Sequence, residues 1–207
     1  MRLSPKLLCA TASLLWVFLA SSCGFNNSIV SLDYRPPAHK TSGPRVVGAG
    51  RFADLRHQGD YNLGTVHSPI GTTMETLSTH VPVENIVRNG FARGLAARNM
   101  LSPLHAAPYL VTGEIHQMEV NQYLHPTASI RMRVNLVHAE DGHIVFSRVF
   151  EGYRQGDAYL PGTGSPVPAM SELMSRALQD VIDQALDSHG FRSKLGHAEA
   201  LPPPQHY

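Results

Sequence analysis

One stretch, residues 129–136, constrains the fold of this 207-residue chain more than any other. Ile130, Met132, Val134 and Leu136 alternate there with Ser129, Arg131, Arg133 and Asn135. Successive side chains of a strand point to opposite faces, so this order builds one apolar and one polar sheet face. Such a strand needs a cover on its apolar side and tolerates water on the other. The cover is encoded near the C-terminus, where Met170, Leu173, Met174, Ala177, Leu178, Val181, Ile182, Ala185 and Leu186 recur at i, i+3, i+4 spacing. Ser165 before Pro166 offers a cap followed by a first-turn proline, and Gly190 a C-terminal stop, so a helix is predicted over residues 167 to 189. Its polar side carries Glu172, Arg176, Asp180, Asp183 and Asp187. That mostly acidic face disfavours lying on anionic lipid and favours docking on the sheet.

The remaining elements follow from period and punctuation. Glu140-Asp141-Gly142 supplies a hairpin turn. His143 to Tyr153 returns as a strand, with Ile144, Phe146 and Phe150 facing one way and Val145, Val149 and Tyr153 the other. Pro108–His116 reads as the strand before. Upstream, Arg45–Phe52 is a first strand, residues 60–64 a loop, and Thr72–Thr79 an edge strand. Val81-Pro82 opens a helix whose inner face takes Val83, Ile86, Val87, Gly90, Gly94, Leu95 and Ala97. Each helical glycine costs about 1 kcal/mol against alanine, so Gly90 and Gly94, four apart, point to close contact with a neighbouring element. The order β-(β)-α-β-β-β-α predicts an α/β (α+β) domain, a small mixed or antiparallel sheet of four to five strands with two helices on one face. The expected division is a lipidated tether over 23–43, a single domain over 44–195, and a disordered tail over 196–207 that contains Pro202-Pro203-Pro204.

Composition narrows function mainly by exclusion. Lys plus Arg number 17 against 16 Asp plus Glu, and no basic stripe is visible, so nucleic acid is not an expected partner. Two cysteines rule out a disulfide scaffold and a four-cysteine metal site. The twelve histidines contain neither His-x-His nor His-Glu-x-x-His, and His138 and His143, with Glu140 and Asp141, read as a surface turn. Gly48-Ala49-Gly50 lacks the third glycine and helix start of a dinucleotide site. Gly162-Thr163-Gly164-Ser165 lies at a helix start, but Pro166 and Pro168 remove two N–H donors and no lysine follows, so it reads as a loop and cap. There is no Gly-x-Ser-x-Gly. Glu114 is placed to pair with Arg131 and Arg133 across strands on the solvated face. No catalytic, metal or cofactor residue is expected, and the chain does not read as an enzyme.

The N-terminus carries an address. Arg2 and Lys6 precede the apolar run Leu7–Ala20, and Ser21-Ser22 follow it. This is the order of a signal peptide, and the run is shorter than the roughly 20 residues that span a bilayer. Leu19-Ala20-Ser21-Ser22-Cys23 resembles the bacterial lipobox. The resemblance implies removal of residues 1–22, a diacylglyceryl thioether on Cys23 and a fatty acid such as palmitate on the new amine. The alternative is an ordinary cut near Ala20 that leaves Cys23 a free thiol. Gly24 replaces the aspartate that retains enteric lipoproteins in the inner membrane, so the outer membrane is the expected site. Processing would leave 207 − 22 = 185 residues with a charge of 15 − 16 = −1 and no second cysteine.

From Cys23 onward the chain resembles the YajG family of bacterial lipoproteins. The likeness rests on the lipobox cysteine, on Ala53-Asp54-Leu55-Arg56 after the first strand, on the helix ending in Ala97-Arg98-Asn99, and on the closing helix. A more distant likeness is to auxiliary lipoproteins of ABC-type lipid transport. These resemblances imply a lipid-anchored, periplasm-facing envelope lipoprotein and bring no catalytic residue. The principal expectation is a binding or assembly module that meets an envelope partner through a sheet edge or its polar sheet face. The alternative is a transport accessory that carries or hands on an apolar ligand. A pocket lined by Met132, Met170 and Met174 would mark a carrier, and a filled core a docking module. Asp54 and Arg56 are expected to be structural, with Asp bonding turn amides and Arg pairing locally.

Overall fold

The computed structural model describes residues 26–38, 40–68, 70–159 and 164–196. The signal segment, Cys23, Gly24, residues 162 and 163 and the tail from 197 lie outside the described residues. The strands are β1 (Asn26–Val30), β2 (Val47–Asp54), β3 (Asn62–His67), β4 (Thr73–Thr79), β5 (Tyr109–Gln122), β6 (Pro126–His138) and β7 (Ile144–Gln155). Helix α1 (Val83–Ala97) stands between β4 and β5, and α2 (Val167–Asp187) and α3 (His189–Gly196) close the chain. All seven strands join one mixed sheet of order β1-β4-β3-β5-β6-β7, with β2 also paired to β5.

Strand β5 organises this sheet. One of its edges runs antiparallel to β6 through thirteen register partners, from Tyr109–His138 to Gln122–Pro126. Its other edge is shared by two shorter strands in succession. The first part pairs in parallel with β2, from Val47–Tyr109 to Asp54–Ile115, and the last part in parallel with β3, from Gly64–Val120 to Val66–Gln122. Between them the chain leaves the sheet over residues 55–61. Where β3 rejoins β5, Gly64 adopts φ +149°, and a Cβ built there would stand 1.8 Å from the Val120 carbonyl oxygen. Only glycine fits that approach.

Both long helices cover the same sheet face. Ile130, Met132, Val134 and Leu136 are buried beneath them, in one core with Met170, Met174, Leu178, Val181 and Ile182. The expected alternation and the expected helical stripe therefore meet. Gly90 and Gly94 let α1 close on α2, since a Cβ at either would lie within 2.9 Å of Ile182 or Leu186 side-chain atoms. Helix α1 ends at Arg98, followed by Asn99 at φ +57°, the left-handed conformation that commonly stops a helix.

Several expectations need correction. Among the described residues the sheet has seven strands, not four to five, and the helices number three, not two. The segment expected as a tether over 23–43 is part of the fold from Asn26: β1 pairs in parallel with β4, and Val30 and Tyr34 are buried. It carried no signature because a five-residue, partly polar strand gets its definition from a distant partner. For the same reason β3 begins inside the expected loop at 60–64, and β4, expected at the edge, is covered by β1. Gly190 is not a helix stop. Helix α2 ends at Ser188, which is extended and whose hydroxyl accepts from the Phe191 amide at 3.3 Å, starting α3 at once. That break lets Phe191 pack edge-on against Phe146 of β7, with ring centroids 5.8 Å apart.

Candidate binding surface

The sheet face opposite the helices is open to solvent and polar. Along β5, Thr112, Glu114, Gln117, Glu119 and Asn121 are half-buried, while Val111, Gly113, Ile115, Met118 and Val120 point inward. Their neighbours on β6 are Ser129, Arg131, Arg133 and Asn135, and on β7 Ser147, Glu151 and Tyr153. The polar side chains bond across strands: Arg133 to Glu114 at 3.7 Å, Arg131 to Glu151 at 3.3 Å, Gln117 to Ser129 at 3.1 Å and Ser147 to Asn135 at 2.7 Å. Glu114 thus takes Arg133 as expected, whereas Arg131 turns the other way. The two ion pairs are largely exposed, and such pairs contribute about 0–1 kcal/mol. They pattern the surface far more than they hold the fold. Where β2 leaves the sheet, a cleft of about 310 Å³ opens beside this ladder, lined by His57, Gln58, His116, Glu119 and Arg131.

Asp54 and Arg56 lie under that cleft and face inward. The Arg56 side chain is 2% exposed and forks onto Asp54 at 2.9 and 2.8 Å. Its remaining nitrogen donates to the carbonyls of Asn62 at 2.8 Å and Met118 at 2.9 Å. The Met118 carbonyl sits on the stretch of β5 between the β2 and β3 pairings. Arg56 thus supplies donors where the sheet is interrupted, which is a structural task.

In the sequence the second buried cation, Arg98, has only a place in the Ala97-Arg98-Asn99 helix end and no partners. Arg98, fully buried at the end of α1, donates to Asp187 at 2.9 and 2.5 Å, Asp183 at 3.0 Å, the Tyr34 hydroxyl at 3.1 Å and the Gly94 carbonyl. Burial opposes its charge, but the bonds to Asp187, Tyr34 and Asp183 outweigh that and hold its pKa above the ordinary arginine value. Tyr34 donates to Asp183 at 2.7 Å, and burial together with that bond pushes its hydroxyl up to about 12. Asp183 and Asp187 follow the i, i+4 spacing on the polar side of α2, the one signal that they share a partner. Tyr34 belongs to the segment after β1, which also bonds α2 through Ser31 and Ser171. A cleft of about 160 Å³ remains beneath this segment, lined by Val30, Leu32, Tyr34, Ile86 and Leu178 among others.

The other singled-out residues fall at turns. Asp141 accepts from the His143 amide at 2.9 Å and lies 3.1 Å from the His138 ring, and these bonds, the amide first, lower its carboxyl pKa. The β6–β7 turn is therefore closed by a carboxylate between the two histidines. Among the described residues, no three His, Cys, Asp or Glu side chains converge as a metal site requires. Ser165 accepts from the Val167 amide at 3.3 Å, so it bonds the start of α2 from one residue before the N-cap, Pro166. Met132, Met170 and Met174 are fully buried within the filled core, and neither the cleft beneath the Tyr34 segment nor the one beside the ladder touches them. No described helix is long and apolar enough to cross a membrane.

No protein-family model matches the chain, and no curated protein matches it in sequence. Among solved structures, a Xanthomonas campestris protein of the family DUF330 is similar with a TM-score of 0.59 and 15% identity, covering 84% of this chain and 99% of its own. A candidate lipoprotein from Caulobacter crescentus has a TM-score of 0.43 and 17% identity, over 55% of this chain and 83% of that one. At these identities the first likeness concerns the fold alone, and the second carries no argument.

Proposed function

We propose that this chain is a lipid-anchored lipoprotein of the bacterial envelope that works as a docking or assembly module, with its polar sheet face turned to an envelope partner. The acyl chains sit on Cys23, and Gly24 favours the periplasmic side of the outer membrane. The Ala53–Arg56 motif and the lipobox make the YajG family the finer assignment. The observation that carries the docking role is the ladder of Glu114, Arg131, Arg133 and Glu151 on an uncovered sheet face, backed by a filled core. Charged groups arranged on a rigid sheet select a partner by complementarity while adding little to stability. Carriage of an apolar ligand, the reading linked to ABC-type lipid transport, is less well supported, because the methionines that would line its pocket are packed into that core.

Two measurements test this. Metabolic labelling with a clickable fatty acid marks the wild type and not Cys23→Ala; equal labelling of both ends the anchor reading. A photo-crosslinking residue at Arg131 captures a defined envelope protein in intact cells, whereas one at Arg176, on the exposed side of α2, does not. Capture at Arg176 alone would move the docking surface to the helices.

A further inference from the structure

The register of the sheet fixes which end of the molecule lies beside the proposed anchor. Asn26 pairs with Glu75, Glu75 with Val66, Val66 with Gln122, and Gln122 with Pro126, so one row of residues crosses β1, β4, β3, β5 and β6. Two hairpin tips extend beyond this row on the side from which β1 starts: the β3–β4 tip, residues 67–74, and the β5–β6 tip, residues 123–125. Cys23 precedes Asn26 by three residues, a reach of at most about 11 Å. The β3–β4 partners His67 and Thr73 already lie beyond the row, and the turn between them extends further, on the order of 7–10 Å at 3.3 Å per residue. The reach of the lipid attachment point from β1 is therefore of the same order as the length of the β3–β4 tip.

The tips have the composition of a surface that meets lipid. Ile70 is 89% exposed, and Met74, Tyr123 and Leu124 are each 60% exposed. Neither 67–74 nor 123–125 contains an Asp, Glu, Lys or Arg. The Tyr123 ring stacks on His67 at 4.2 Å and 3°, tying the β5–β6 tip to the end of β3. The β6–β7 turn at the opposite end of β6 instead carries exposed Glu140 and Asp141. Resting on the proposed acylation of Cys23, we infer that the Ile70, Met74, Tyr123 and Leu124 tips form a second membrane contact, seated in the headgroup layer of the bilayer that holds the acyl chains. Aromatic and aliphatic groups on uncharged turns suit that layer, with the tyrosine hydroxyl in its polar zone. The contact orients the sheet with its strands rising from the membrane and its polar face exposed sideways.

Because the processed chain has no cysteine besides Cys23, a single introduced thiol can be labelled without interference. Acylated full-length protein, with its lipid mass confirmed, is reconstituted into phosphatidylethanolamine–phosphatidylglycerol vesicles carrying a nitrobenzoxadiazole label on Ile70→Cys, Leu124→Cys or Glu140→Cys. Labels at 70 and 124 should shift to the blue and be quenched at least about twofold by spin-labelled lipid, while the label at 140 stays aqueous. Acylated protein whose labels at 70 and 124 match that at 140 overturns the tip contact and leaves the anchor standing. Protein without acyl mass on Cys23 overturns the anchor, and this inference with it. Shielding that appears only at high protein density, or only after envelope extract is added, assigns the tips to a second copy or a protein partner and overturns the membrane contact.

Discussion

At the scale of single residues, the sharpest requirements lie where the sheet is interrupted. Gly64 holds φ +149° against the Val120 backbone. Alanine there adds strain of about 1–3 kcal/mol and must also push β3 from β5, so Gly64→Ala should melt several degrees below wild type in a thermal scan. Arg56 joins Asp54 to the Asn62 and Met118 carbonyls with its side chain buried. Removing one partner of a buried pair typically costs about 3–5 kcal/mol, so Arg56→Met should be strongly destabilised. Lysine cannot reproduce the fork, so a melt of Arg56→Lys should recover little of that loss. Tyr34 sets an alkaline limit. Its folded pKa, about 12, is raised from the ordinary 10.0, so the stability it contributes is fully present below pH 10 and lost as the pH rises through 12. Urea midpoints followed across that window should fall more steeply for wild type than for Tyr34→Phe. The Asp54–Arg56 pair was legible as a local Asp-x-Arg motif. Arg98 was not, because its partners Tyr34, Asp183 and Asp187 lie 64 to 89 residues away in the chain.

At the scale of elements, the closing helix dominates the core. Leu178 is 1% exposed and lies over the sheet with Val181 and Ile182. Replacing a buried leucine by alanine costs about 2–5 kcal/mol, and each kcal/mol lowers the melting point of a chain this size by about 2–4 °C. Leu178→Ala should therefore melt about 4–20 °C lower, measured on the chain from residue 24 made without acylation; an unchanged melt would contradict docking on the sheet. Helices α1 and α2 and strands β6 and β7 were readable because each has its own period. The short strands β1 and β3 were not, because five or six residues give a period too little room and their pairing is chosen by distant segments. The end of α2 was misplaced for a related reason: Gly190 resembles a stop, but the packing of Phe191 on Phe146 makes Ser188 the break.

At the scale of the whole molecule, the two faces of the sheet divide the work. The helix-covered face holds the fold together, and the open face is free to vary in charge. Replacing Arg131 and Arg133 together by glutamine should change stability by less than about 2 kcal/mol in denaturant titration, because both ion pairs are exposed. The same variant should lose the photo-crosslink formed from a probe at Ser147 on that face. A large loss of stability would show instead that the ladder is part of the scaffold.

Local order along the chain was enough to determine the alternating strand, the two long amphipathic helices and the polar sheet face, because each depends on neighbours a few residues apart. Tertiary structure alone decided that Asn26–Val30 become an edge strand, that β2 and β3 share one edge of β5, and which acids neutralise Arg98. Those features join segments dozens of residues apart, where no short-range period exists to record them. The same long-range pairing draws Asn26–Val30 out of the expected tether and sets both hairpin tips at the end of the sheet from which β1 starts.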